Sequence, residues 1–137
     1  MPKPPVEVSL EWTRDLVFET RTRRGAGPVL DGDSLAGTSP VEALALALGS
    51  CMGVDLVMIL AKGRHDLRAV LLSVTGHRAE GPPSSVTGFA LHYQITGAVP
   101  DAAIQRAIDL SRETYCSVWH SLRRDTALEV TFSRVDG

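Results

Sequence analysis

Between residues 40 and 62 the chain is apolar at almost every position, whereas on either side its apolar residues fall into the alternation typical of strands. The central run carries the start and stop signals of a helix. Ser39 can cap it, Pro40 suits the first helical position, Glu42 completes a capping box and Gly63 ends it. Glu42 and Asp55 are its only carboxylates, and no base precedes Lys62. Such all-round apolarity predicts a helix wrapped by protein on most faces.

Strands are predicted over Val6–Trp12 and Leu16–Arg21, with a turn at Thr13, Arg14 and Asp15, and over a short third segment, Pro28–Leu30. A loop rich in Asp and Gly then leads into the long helix. Beyond it, Leu67–Arg78 and Val86–Thr96 form a hairpin across the polar stretch 80–85. A second helix starts at Pro100–Asp101 and runs to about Glu113, with Ala103, Ile104, Ala107, Ile108 and Leu110 as its apolar stripe. A shorter helical piece spans Tyr115–Arg123, and a last strand, Leu128–Val135, follows. The order of strands, helix, strands, helices and strand gives an α+β class in one domain, residues 1–137.

The long run is also about long enough to span a bilayer. Gly49, Gly53 and Asp55 interrupt it, however, and the start Met1–Pro5 is followed by a polar strand with no apolar leader region. The expectation is a cytoplasmic protein without a membrane partner. With 137 residues, 44% of them hydrophobic, one core is affordable. A net charge of −2 offers no case for nucleic acid. The basic stretch Arg21–Arg24 reads as a solvated hairpin end.

Two cysteines remain as candidate chemistry: Cys51 in the middle of the long helix and Cys116 near the third helical piece. In a reducing compartment a structural disulfide is disfavoured, which leaves catalytic thiols or buried small hydrophobes. Asp55 is four residues after Cys51 and on the same helix face, where a carboxylate raises a thiol pKa unless a cation neutralises it. Cys51 is about three turns into its helix and gains little from the dipole. Cys116, near a helix start, is expected to be the more acidic thiol.

Three stretches, Gly37–Glu42 (GTSPVE), Ala47–Asp55 (ALGSCMGVD) and Ala107–Val118 (AIDLSRETYCSV), resemble the OsmC/Ohr superfamily, in particular its YhfA-like branch. The resemblance covers nearly the whole chain. It implies antiparallel sheets wrapped around a long central helix in an intertwined homodimer, with sites at the subunit interface. It also implies a thiol peroxidase that reduces organic hydroperoxides at the expense of a dithiol reductant, with no cofactor. By motif, Cys51 is then peroxidatic and Cys116 resolving. The supporting arginine falls at Arg14, in the turn between the first two strands. The supporting glutamate of the family directly follows the helix-entry proline; here Val41 holds that place and Glu42 comes one later, about 100° around the helix. Glu42 therefore has both a capping and a catalytic reading.

Two other classes compete. Cys116 and His120, four apart on a helix, can place two zinc ligands on one face with Cys51 as a third, although no CxxC or HExxH pattern is present; the favoured expectation is no metal. Alternatively, Met52 and Met58 line an apolar cavity of a noncatalytic protein that binds a hydrophobic molecule.

Overall fold

Capping fixes where the long helix begins. In the computed structural model of the chain, which describes residues 2–135, helix α1 spans Pro40–Lys62. The Ser39 N–H donates to Glu42 Oε1 at 3.0 Å and the Glu42 N–H donates to Ser39 Oγ at 3.3 Å, the reciprocal pair of a capping box. The chain divides into two units, one ending at Leu44 and the other beginning at Ala45.

The first unit is a four-stranded antiparallel sheet of β1 (Ser9–Arg14), β2 (Val17–Thr22), β3 (Gly25–Ala26) and β4 (Leu30–Asp31), in which β2 pairs with each of the others. Two expectations shift. Arg14 is not in the turn but pairs with Val17 as the last residue of β1. Asp15, with φ of 46°, takes the left-handed position that a tight hairpin demands and that Asp tolerates. The third strand is not Pro28–Leu30 but two shorter ones on either side of Pro28, which lacks an N–H for the ladder. Arg23 and Arg24 form an exposed turn, as expected. Asp31, buried, accepts from the backbone N–H groups of Asp33, Leu35 and Ala36 at 2.8, 3.2 and 2.9 Å and so organises the loop before α1. Those bonds, Ala36 foremost, hold its carboxyl below the usual range.

The second unit is built on β5 (Asp66–Arg78), β6 (Val86–Ala98) and β7 (Ala127–Val135). Here a correction is needed: β5 and β6 are antiparallel, but β6 and β7 are parallel, so the sheets are not all antiparallel. The connection from β6 to β7 is a helical crossover, which brings the chain back to the end where β6 began, and a strand entering from there can only run parallel. The crossover comprises α2 (Asp101–Leu110), a π-helical turn at Ser111–Tyr115 and α3 (Ser117–His120). The second helix therefore ends three residues before Glu113, and the third is four residues long and stops short of Arg123.

Register places Val70, Leu72 and Val74 of β5 opposite Ile95, Tyr93 and Leu91 of β6. Leu128, Val130 and Phe132 of β7 face Phe89, Leu91 and Tyr93 from the other side. These residues share one face, and β6 supplies its buried centre. Leu48, Met52, Leu56 and Leu60 of α1 and Ile104, Ala107 and Ile108 of α2 are buried with them. The opposite face is polar: His92 bonds Thr131 Oγ1 at 2.7 Å and Ser133 Oγ at 3.1 Å.

Gly49 permits a close approach of α1 to β5, because a Cβ there would lie 2.8 Å from Val74 Cγ2. The residues that interrupt the apolar run thus sit where the helix meets its own unit. The helix is not wrapped on most faces within one chain, however. Leu46, Val54, Val57 and Met58 are exposed, because one sheet and one neighbouring helix cover only one side of a cylinder. With β5 they border an apolar groove of about 530 Å³.

Candidate functional site

Cys51 and Asp55 project from the same side of α1, one turn apart, as the i,i+4 spacing requires. Cys116 reaches them from the crossover. The apolar stripe of α2, through Ile104, Ala107 and Ile108, reaches Ser111 at the next turn, where the π-helical turn begins. The Cys116 N–H bonds back to the Ser111 carbonyl at 2.8 Å, closing that wider turn. Cys116 then leaves the helical region, with φ −75° and ψ 100°, and caps α3. The consequence is that Ser111 and Cys116 both face α1.

The ligand atoms of Cys51, Asp55 and Cys116 lie within 4.8 Å of one another. The two cysteines are not joined in a disulfide. Ser111 Oγ donates to Asp55 Oδ2 at 2.8 Å, fixing the carboxylate by one oxygen. Cys51 is partly exposed and Cys116 is fully buried. The Cys116 sulfur accepts from the Trp119 N–H at 3.3 Å. Beneath the cluster Tyr93 is buried, and its hydroxyl has no hydrogen-bond partner among the described residues.

Electrostatics separates the roles. Burial pushes the Cys116 thiol up to about 11, and Cys51 and Asp55 add to the rise while the Trp119 N–H opposes it. The expectation that Cys116 is an acidified thiol is therefore corrected: a four-residue helix offers one N–H, and this does not offset the loss of water. Burial also raises the Tyr93 phenol well above its usual range, with Cys116 and then Asp55 contributing.

The remaining predicted residues have partners in the first unit. Glu42 is the capping partner of Ser39, and the Ser39 N–H, the Ser39 hydroxyl and the Ser34 hydroxyl hold its carboxyl below the ordinary value. Arg14 is exposed and pairs with Asp15 at 3.4 Å. The zinc pairing of Cys116 with His120 is not formed: His120 is exposed and outside the converging donor group, and its backbone N–H donates to the Cys116 carbonyl at 3.1 Å. Among the described residues, the group whose donor atoms do converge is the two thiols with Asp55.

Ser111 and Tyr93 escaped the reading of the sequence. Each left a signal: a serine at the end of an apolar stripe, and a tyrosine at an inward position of an alternating strand.

A family model described as OsmC-like protein matches residues 31–131. Protein YhfA of Escherichia coli strain K12 is 36% identical over 130 residues, which cover 93% of this chain and 96% of that protein. Among solved structures, a hypothetical protein of Aquifex aeolicus VF5 is 29% identical with a TM-score of 0.90, covering 98% of this chain and 99% of that one. An organic hydroperoxide resistance protein OsmC of Legionella pneumophila, also described as a predicted redox protein, is 18% identical with a TM-score of 0.70 over 97% of this chain and 99% of that one.

Proposed function

The chain belongs to the OsmC-like protein family, and from that premise we propose that it is a thiol-dependent peroxidase that reduces organic hydroperoxides, with Cys51 peroxidatic and Cys116 resolving. The observation that carries this reading is the asymmetric thiol pair: two free sulfurs in one cluster, one partly open to solvent and one buried with its proton held tightly.

The chemistry follows from that asymmetry. The Cys51 thiolate attacks the terminal peroxide oxygen; the O–O bond breaks, Cys51 becomes a sulfenic acid, and the alkoxide leaves as an alcohol after taking a proton. Cys116 then attacks the sulfenic sulfur, forming the disulfide and releasing water, whose second proton is the one Cys116 carried. A dithiol reductant exchanges with the disulfide and restores both thiols. Asp55, fixed by Ser111, is the carboxylate beside this reaction, while Glu42 is the capping residue. Arg14 is the cation assigned by resemblance to thiolate stabilisation, and Arg14→Ala tests it through the rate of Cys51 oxidation.

The same reading includes a homodimer in the cytoplasm, with a second copy over the exposed face of α1. The groove beside Leu46, Val54 and Met58 favours a competing reading, a noncatalytic carrier of a hydrophobic molecule. Thiol loss after one equivalent of cumene hydroperoxide separates the two. A peroxidase loses both thiols rapidly, Cys51→Ser abolishes the reaction, and Cys116→Ser accumulates a sulfenic acid that dimedone traps. Thiols that stay intact in the wild type overturn the peroxidase.

A further inference from the structure

Two thiols and a carboxylate, drawn from α1 and from the crossover, already converge with their ligand atoms inside 4.8 Å. A tetrahedral zinc site, with metal–sulfur bonds of about 2.3 Å and metal–oxygen bonds of roughly 2.0–2.2 Å, separates its donors by roughly 3.5–4 Å. Side-chain adjustments of about an ångström therefore suffice. We infer that in the reduced protein Cys51, Asp55 and Cys116 bind one thiophilic divalent cation of the zinc class, and that the cation withholds Cys51 from peroxide.

Three features support the site beyond the donor set. Ser111 donates to one oxygen of Asp55 at 2.8 Å, the outer contact that orients a ligating carboxylate. Tyr93, fully buried and within electrostatic reach of Cys116 and Asp55, carries a hydroxyl without a partner among the described residues. Finally, the donor set binds a metal as two thiolates and a carboxylate, and a divalent cation offsets two of those three charges. Thiolate sulfur selects zinc, cobalt or cadmium over magnesium or calcium. Oxidation to the Cys51–Cys116 disulfide removes both sulfur ligands, so the disulfide form releases the metal.

Binding rests on the geometry of the cluster, and its effect on turnover rests on the peroxidase reading, so the two are measured apart. Reduced wild-type protein is titrated with zinc against a chromophoric chelator, and with cobalt(II) for thiolate-to-metal charge transfer. One equivalent is expected per chain, with none after diamide oxidation. Cys51→Ser and Cys116→Ser lose saturable binding, Ser111→Ala weakens it roughly 10- to 100-fold, and His120→Ala leaves it unchanged. Absence of saturable uptake in the wild type, or uptake undiminished in Cys116→Ser, overturns the site. Chelated protein is then treated with cumene hydroperoxide beside the zinc-loaded form, which is expected to lose thiols at least tenfold more slowly; equal rates overturn the inhibition. Chelated protein that does not react at all refutes the peroxidase instead, and leaves the metal titration to stand alone.

Discussion

The two sheets are written in the same alternating code and meet opposite fates. In β6, Phe89, Leu91, Tyr93 and Ile95 are 3% exposed or less, because α1 and α2 cover that face. In the first sheet Leu10, Trp12 and Phe18 remain open, and Leu10 and Phe18, with Leu16 of the hairpin turn and Leu30, border a second apolar groove of about 420 Å³. The difference teaches that alternation announces a face to be covered without saying what covers it. One face finds its cover within its own unit. The other, like the outer side of α1, is left for a second copy in the proposed dimer.

The strongest way to break this contrast is to truncate both faces. Leu91→Ala should lower stability by about 3 kcal/mol, through lost burial and the cavity left behind, as read by urea unfolding. Leu10→Ala should cost under about 1 kcal/mol in the isolated chain, from its partial burial. A Leu10→Ala loss that grows with protein concentration assigns the first sheet to the interface between copies. Equal losses in the two variants refute the contrast.

Alkaline pH probes only the second unit. The folded protein holds the Cys116 proton up to about 11 against an ordinary 9.0, so between those values the unfolded chain releases a proton that the native state retains. Stability is therefore fully present below pH 9 and declines as pH rises through 11, by on the order of 2 kcal/mol. Wild-type and Cys116→Ser proteins should diverge in urea midpoint between pH 8.5 and 11; parallel curves would sink this assignment.

Two smaller effects sharpen the picture. Val54→Asp puts a charge on the open face of α1 and should weaken self-association at least tenfold, about 1.4 kcal/mol, with little effect on the fold; sedimentation reads the mass. Ser39→Ala should cost about 1 kcal/mol by removing the cap. Glu42→Gln, which keeps a side-chain acceptor for the Ser39 N–H, should cost less and leave peroxide reactivity intact. A large rate loss in Glu42→Gln would return that residue to the catalytic list.

Legibility in the sequence followed the range of the interactions. Helix α1 was readable to the residue because its limits rest on local chemistry, from Ser39 and Pro40 to Gly63. The β5–β6 hairpin was nearly as clear. The direction of β7 was not, since parallel pairing depends on the crossover before it. The site divides in the same way. Cys51 with Asp55 is a one-turn spacing, and Cys116 stood out as the second thiol. Its raised pKa comes from burial by distant residues, and the Ser111–Asp55 bond depends on a π-helical turn that no periodicity announced.

The parallel strand also bears on when the site comes into being. β7 pairs residues 127–135 with residues 88–96 of β6, whereas β5 and β6 close across a short loop. The loop-closure entropy therefore falls on the crossover that carries Cys116. Arg134 of β7 ties down the start of that crossover through Asp101, at 2.6 Å. During folding the β5–β6 hairpin is able to form while Cys116 is still far from Cys51. The thiols meet only once the crossover has docked on α1, so peroxide reaching a chain not yet folded that far would find two isolated cysteines.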